Sequence, residues 1–254
     1  MTSLDLLADR LRRHPPTTVL ACDFDGTLSS IVDDPAAAAP VPGALEVLAD
    51  LATTFGTVAV ISGRPVAFLQ PILPPAVQLH GLYGLERVVA GERSDHDAAA
   101  AWRVGVDAVV AASRAWAPEG VGVEPKGGLS ITLHYRTRPE LGDAVLRFAE
   151  EQAAASGLAM RPARMSVELH PPVAVDKGTV LRSLAGGAGA ACFAGDDAGD
   201  LPAFTALDDL AAEGTAAVRI GVRSPESPPA LLERADGVVD GPAGVVGFLR
   251  SLLA

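Results

Sequence analysis

The chain has 254 residues and a formal charge of −11, from 31 acidic and 20 basic side chains, and is 49% apolar. That length and apolar share imply an ordinary buried core, in one large domain or two modest ones. The acidity argues against nucleic acid and against an anionic membrane surface, and no segment approaches the roughly 20 apolar residues of a bilayer span.

Met1 to Arg13 mixes acids and bases and lacks the apolar stretch of a signal peptide, so a cytoplasmic chain is expected. Val19–Cys22 reads as a buried strand running into Asp23, and Gly43–Thr53 carries Leu45, Leu48, Ala49 and Leu51 at helical spacing. Thr57–Ile61 is a second buried strand, running into Ser62-Gly63-Arg64-Pro65, and Val77–Gly81 a third. Ala98–Trp116 then reads as a helix, followed by strands Val121–Glu124 and Leu129–Tyr135 around the turn Pro125-Lys126-Gly127-Gly128. Glu140–Ala155 is another helix, stopped by Gly157, before strands Leu158–Arg161 and Ser166–His170. Ala190–Ala194 runs into Gly195-Asp196-Asp197. Strands Ala216–Val222 and Gly237–Val239 and a closing helix, Ala243–Leu253, complete the chain. The Pro-rich stretches Pro35–Pro42, Pro71–Pro75 and Ser224–Pro229 read as loops.

This order predicts an α/β fold: a Rossmann-like parallel-sheet core with an inserted α/β domain, an antiparallel sheet backed by two helices. The expected division is 1–97 with 174–254 for the core and 98–173 for the insert. Cys22 and Cys192 lie in apolar runs 170 positions apart and read as buried thiols.

Three polar clusters each follow a buried strand, where open α/β sheets place their ligands. Asp23-Phe24-Asp25-Gly26-Thr27-Leu28 offers two carboxylates on an extended segment. One can attack phosphorus and the other can protonate a leaving alcohol. Ser62-Gly63-Arg64-Pro65 supplies a hydroxyl and amides at a strand-to-helix junction, suited to phosphate oxygens. Taken alone, it reads as a plain helix cap. Gly195-Asp196-Asp197-Ala198-Gly199-Asp200, preceded by Lys177, sets three carboxylates within six residues. They repel one another without a cation, and carboxylate oxygens are the hard ligands that Mg²⁺ takes. A bound cation also reconciles an acidic chain with a phosphorylated substrate. There is no P-loop, no His-Glu-x-x-His and no Gly-x-Ser-x-Gly.

Together these strings resemble the motifs of the haloacid-dehalogenase-like hydrolases, in the branch with a cap of the second type. Within it the chain looks like a member of the trehalose-6-phosphate phosphatase family, from about Val19 to beyond Asp200. The supporting strings are Gly81-Leu82-Tyr83-Gly84-Leu85-Glu86-Arg87, Glu124-Pro125-Lys126 with Leu129 to Arg136, and Val167-Glu168-Leu169-His170-Pro171. The resemblance implies a Mg²⁺-dependent phosphatase working through an aspartyl-phosphate. Asp23 would be the nucleophile and a metal ligand, and Asp25 the general acid/base, with its carbonyl on the metal. Ser62 and Lys177 would hold phosphate, and Asp196 would bind the metal, with Asp197 or Asp200 direct or behind it. Glu124, Lys126 and Glu168 would bind sugar hydroxyls, with Arg64, Glu86 and His134 as further substrate contacts. Tyr83 stands where the family often has His, and His170 where Arg is common; both bear on the sugar rather than the chemistry.

The leading expectation is therefore hydrolysis of trehalose 6-phosphate by a single chain with a small-molecule substrate and no nucleic-acid or membrane partner. The alternatives are a capped phosphatase for another phosphorylated sugar or pseudo-disaccharide, a phosphomutase, and, outside the enzymes, a phosphoaspartate switch module.

Overall fold

The strands of the computed structural model follow the apolar runs except over 86–95, which is charged. They are β1 (Thr18–Cys22), β2 (Thr57–Ile61), β3 (Gln78–Gly81), β4 (Glu86–Val89), β5 (Glu92–Asp95) and β6 (Gly122–Lys126). β7 (Ser130–His134), β8 (Ala159–Ala163), β9 (Ser166–His170), β10 (Ala190–Gly195), β11 (Ala216–Arg223) and β12 (Gly237–Asp240) follow. The helices are α1 (Ser3–Leu11), α2 (Ala44–Thr54), α3 (Val66–Leu69), α4 (Asp97–Ala100) and α5 (Arg103–Trp116). Then come α6 (Gly142–Ser156), α7 (Lys177–Ala185), α8 (Leu201–Ala212), α9 (Pro229–Arg234) and α10 (Gly241–Ser251). The structure describes residues 3–32, 34–163, 165–225 and 227–254. It divides into two units, Met1–Ser94 with Val175–Ala254, and Asp95–Ala174. Among the described residues no helix is long and apolar enough to cross a membrane.

The larger unit is organised by a sheet in the order β12-β11-β10-β1-β2-β3-β4-β5. From β12 to β3 each neighbouring pair is parallel, and β4 turns back antiparallel on β3. β1 and β10 are buried along their whole length because helices cover both faces. Alternate residues divide between those faces. Leu20, Cys22, Val58 and Val60 pack with Leu48, Leu51, Val245 and Phe248, on α2 and α10. Val19, Ala21, Ala59, Ile61 and Phe193 pack with Leu181, Phe204 and Leu207, on α7 and α8. Both cysteines are free and buried, and burial is the main cause that pushes their thiols far above the usual range.

The smaller unit carries an antiparallel sheet in the order β6-β7-β9-β8. Ile131, Leu133, Val167 and Leu169 face Val106, Val109, Val145 and Phe148 of α5 and α6, which buries one side of the sheet. The ring of Trp116 stacks on Phe148 at 4.0 Å between centroids.

The structure corrects several local expectations. The helix expected over Ala98–Trp116 is broken at Ala101–Trp102, where Trp102 packs against the small core and α5 restarts. β6 continues through Lys126, so the hairpin turns at Gly127 and Gly128, whose φ angles of +58° and +69° suit glycine. The helix expected from Glu140 begins at Gly142, after a tighter turn over Pro139–Leu141, and ends as expected before Gly157. α1, the β4–β5 hairpin and α9 were not expected; α9 starts inside the stretch expected to be a loop.

Candidate active site

The register of the larger sheet brings its three polar clusters together. Cys22 pairs with Ala194 on one side and Val60 on the other, so Asp23, Asp196 and Ser62 leave adjacent strands at the same edge. The Asp23 amide continues the ladder by donating to the Ala194 carbonyl at 2.9 Å. Phe24, between the two carboxylates of its motif, is fully buried. Gly26 has φ +74°, and a Cβ there would sit 2.1 Å from Asp196 Oδ2, so glycine is required twice over.

Lys177, the first residue of α7, lies at the centre. Its Nζ forms an ion pair with Asp23 Oδ1 at 2.8 Å and donates to Asp200 Oδ1 at 2.6 Å, with all three side chains buried. α7 begins there because Asp176 and Thr179 form a reciprocal cap ahead of it. Asp200 Oδ2 accepts the amides of Asp196 and Asp197 at 2.8 and 3.0 Å, which fixes the turn after β10. Thr27 Oγ1 donates to Asp196 Oδ1 at 3.2 Å. Asp23, Asp196 and Asp200 each offer an oxygen, and these oxygens lie within 4.8 Å of one another.

The electrostatics of this cluster are unbalanced. Burial pushes Asp23 well above the ordinary carboxylate range, with Lys177 opposing it and Asp200, Asp197 and Asp196 adding to it. Burial, Asp200 and Asp197 push Asp196 up to about 7. Burial works against the charge of Lys177, but Asp200 and Asp23 outweigh it and hold the ammonium well above its usual value. Three buried carboxylates share a single lysine, and their donor set is entirely oxygen. Such a site fits a hard divalent cation.

The remaining sequence candidates divide. Asp25 lies beside the cluster and is forked by Arg64. Ser62 is buried, and its Oγ accepts the Arg64 amide at 3.2 Å, so it caps the turn as well as facing the strand ends. Asp197 is exposed and accepts the Gly199 amide at 2.8 Å, turned to its own loop rather than into the acidic group. Glu86 is fully buried: Oε1 accepts the Val66 amide at 2.7 Å and Oε2 pairs with Arg93 at 2.6 Å. It holds the start of α3, a structural use that the sequence string did not disclose. Tyr83 has φ +60°, its amide donates to the Ser62 carbonyl at 2.9 Å, and its ring lies over Gly63.

In the smaller unit the register makes a rung of Glu124, Thr132, Glu168 and Arg161 across one face of the sheet, with Lys126 opposite Ser130 on the next. Glu168 accepts Ser130 Oγ at 2.7 Å and pairs with Arg161 at 3.4 Å. Glu124 pairs with His134 at 2.7 Å. Thr27, Ser130 and Arg161 were given no role from sequence. Thr27 and Ser130 lay inside the quoted strings, and period-2 alternation places Ser130 on the polar face.

A parallel sheet with paired aspartates after one central strand, a lysine at a helix start and an acidic turn after the neighbouring strand defines a haloacid-dehalogenase-like hydrolase fold. A solved hydrolase of that class from Bacteroides thetaiotaomicron superposes with a TM-score of 0.64 at 12% identity, over 92% of this chain and 98% of that one. The model of the trehalose-phosphatase family matches residues 21–230, and the chain belongs to that family. A trehalose-phosphate phosphatase of Mycobacterium avium is 37% identical over 211 residues, 77% of this chain and 52% of that protein. One of Mycobacterium tuberculosis is 39% identical over 184 residues, 69% and 45%. The chain thus spans about half the length of the curated relatives it matches. The fold is shared with the C-terminal domain of Candida albicans trehalose-6-phosphate phosphatase, at a TM-score of 0.75 and 22% identity over 99% and 96% of the two chains. A trehalose-6-phosphate phosphatase related protein gives 0.79 at 24% identity over 92% and 97%.

Proposed function

We propose that the chain hydrolyses trehalose 6-phosphate to trehalose and phosphate, with Asp23 as nucleophile and an aspartyl-phosphate intermediate. The observation that carries this reading is the buried contact of Asp23 with Lys177 beside Asp196 and Asp200. A carboxylate so deeply buried among other carboxylates is costly to keep unless it does chemistry.

In the first half-reaction an Asp23 oxygen forms a bond to phosphorus. The ester P–O bond breaks, and its electron pair leaves with the sugar oxygen, which takes a proton from Asp25. In the second half a water attacks the acyl phosphate, Asp25 accepts the water's proton, and phosphate leaves as the Asp23 carboxylate re-forms. Lys177 and Ser62 hold phosphoryl oxygens, Lys177 by charge and Ser62 by its hydroxyl. We assign a magnesium ion to Asp23, Asp196 and the Asp25 carbonyl, with Asp200 aiming the Asp196 segment and Asp197 outside the group. When bound, that ion neutralises phosphoryl charge.

Residues 98–173 are read as an inserted cap whose polar sheet face offers Glu124, Lys126 and Glu168 to sugar hydroxyls. A polar site of this kind rejects substrates that leave its buried groups unpaired. His134 supports Glu124, and Glu86 is left out because both its oxygens are engaged within the larger unit. A cytoplasmic pool of sugar phosphate suits this reading. Tyr83 and His170, which depart from the usual family strings, favour a phosphatase for another phosphorylated sugar as the second reading.

A panel of sugar phosphates assayed for phosphate release with Mg²⁺ tests the assignment. The expected result is trehalose 6-phosphate preferred by at least about tenfold over glucose 6-phosphate. Equal turnover of the two removes the trehalose assignment and leaves the second reading. An isomerised phosphosugar without free phosphate indicates a mutase, and a stable phosphoprotein without turnover indicates a switch.

A further inference from the structure

The Arg64 side chain reaches the first motif, the loop behind it and a ring on α3. Its Nε donates to Asp25 Oδ2 at 2.8 Å and Nη2 to Asp25 Oδ1 at 2.7 Å. Nη1 donates to the Pro35 carbonyl at 2.6 Å, and the guanidinium lies 4.4 Å from the centroid of the Phe68 ring. Phe68 in turn meets Phe24 edge-on at 5.8 Å, and Phe24 is the residue between Asp23 and Asp25. The guanidinium is therefore held by a carbonyl and a ring while its fork faces the carboxylate. Asp25 itself is less constrained, with 38% of its side chain exposed.

We propose that Arg64 is a positioning residue for Asp25, and this rests on the acid/base role assigned to Asp25 above. A two-point fork from a planar guanidinium fixes both the direction and the plane of a carboxyl group, which a lysine's single charge cannot do. The fork takes one lone pair from each oxygen, and each oxygen keeps another. Asp25 can thus remain aimed while it gives a proton to the departing ester oxygen and later collects one from the attacking water. A rigid aim matters because proton transfer requires hydrogen-bond distance to the oxygen at the moment the P–O bond breaks. Arg64, expected from sequence to touch substrate, acts on this geometry through Asp25.

Aryl phosphates separate the two roles, because they carry no sugar for Arg64 to read. Phenyl phosphate has a basic leaving group that needs a proton, whereas 4-nitrophenyl phosphate needs one far less. In Arg64→Ala the loss of kcat/KM should be roughly tenfold or more greater on phenyl than on 4-nitrophenyl phosphate. Asp25→Asn should steepen the dependence on leaving-group basicity in the same way, and the double variant should add little. Arg64→Lys keeps the charge but cannot fork; it should show the same steepening and serves if Arg64→Ala melts below the assay temperature. A steep dependence in Asp25→Asn with an unchanged one in both Arg64 variants overturns the proposal. An unchanged dependence in Asp25→Asn strikes instead at the acid role of Asp25, and so at the proposed mechanism itself.

Discussion

The acidic cluster at the strand ends and the polar face of the smaller sheet both gather charged side chains, in opposite ways. In the cluster, Asp23, Asp196, Asp200 and Lys177 are all buried, and carboxylates outnumber the ammonium. On the sheet face, Glu168 pairs with Arg161 and Glu124 with His134, and Glu124 and His134 stay partly in solvent. Exposed pairs contribute little and can be exchanged, so their presence says little about use. A buried excess of one sign is unstable unless something else completes it. The first region therefore points to its chemistry far more firmly than the second points to a ligand.

The largest expected difference between the two regions lies in their need for a cation. Chelation should reduce turnover by roughly 10³-fold, as loss of a charge-stabilising group does, with Mg²⁺ restoring it. Mg²⁺ at a hundredfold excess over its Kd should also stabilise the fold by about 3 kcal/mol. Asp196, pushed up to about 7, makes the cation-free cluster lose stability as pH rises from the ordinary carboxylate range toward neutrality. The rise in Tm on adding Mg²⁺ should accordingly be larger at pH 8 than at pH 6. No difference would mean that the carboxylates are already compensated within the chain.

A second effect separates the larger unit from the smaller. His80 on β3 is buried, its Nε2 has no hydrogen-bond partner among the described residues, and its carbonyl accepts the Ser62 amide. Burial first, then Arg87, lowers it to about 4 from 6.5. Its folded value lies below its unfolded one, so the neutral ring is favoured above 6.5 and stability is lost as pH falls toward 4. The His80 contribution to that loss should be roughly 3 kcal/mol, read by urea unfolding as the difference between the wild-type chain and His80→Gln. His80→Gln should flatten that dependence, and a slope unchanged in the variant would place the acid sensitivity elsewhere.

The smallest effect sharpens the reading of the sheet face. Lys126→Ala should cost about 1–2 kcal/mol in kcat/KM on trehalose 6-phosphate and much less on 4-nitrophenyl phosphate. Equal losses on both would make Lys126 a structural residue.

The same contrast explains what could be read from the chain alone. β1, β2 and β10 were legible to within a residue because both of their faces are buried and their sequences are uninterrupted apolar runs. The β4–β5 hairpin was not, since Glu86-Arg87-Val88-Val89 and Glu92-Arg93-Ser94-Asp95 are charged and β5 is largely exposed. α1 hid in a segment that mixes acids and bases, although Leu7, Ala8 and Leu11 give it a buried stripe. Asp23, Lys177 and Asp196 could be anticipated as one site because each stands at the end of a buried strand or the start of a helix. The pairing of Arg64 with Asp25 could not, because it joins positions 39 apart through a side-chain direction that no local pattern encodes. The hold of Glu86 on the start of α3 was hidden for the same reason, since it joins Glu86 to the amide of Val66, 20 positions away.

In the proposed reaction Asp23 itself becomes phosphorylated. Rapid quenching during turnover, followed by borohydride reduction of the acyl phosphate and peptide mass spectrometry, reads this directly. Homoserine is expected at position 23 in the wild-type chain, formed only with substrate present, and none in Asp23→Asn. Reduction at another carboxylate, or phosphate release at the wild-type rate from Asp23→Asn, would contradict it.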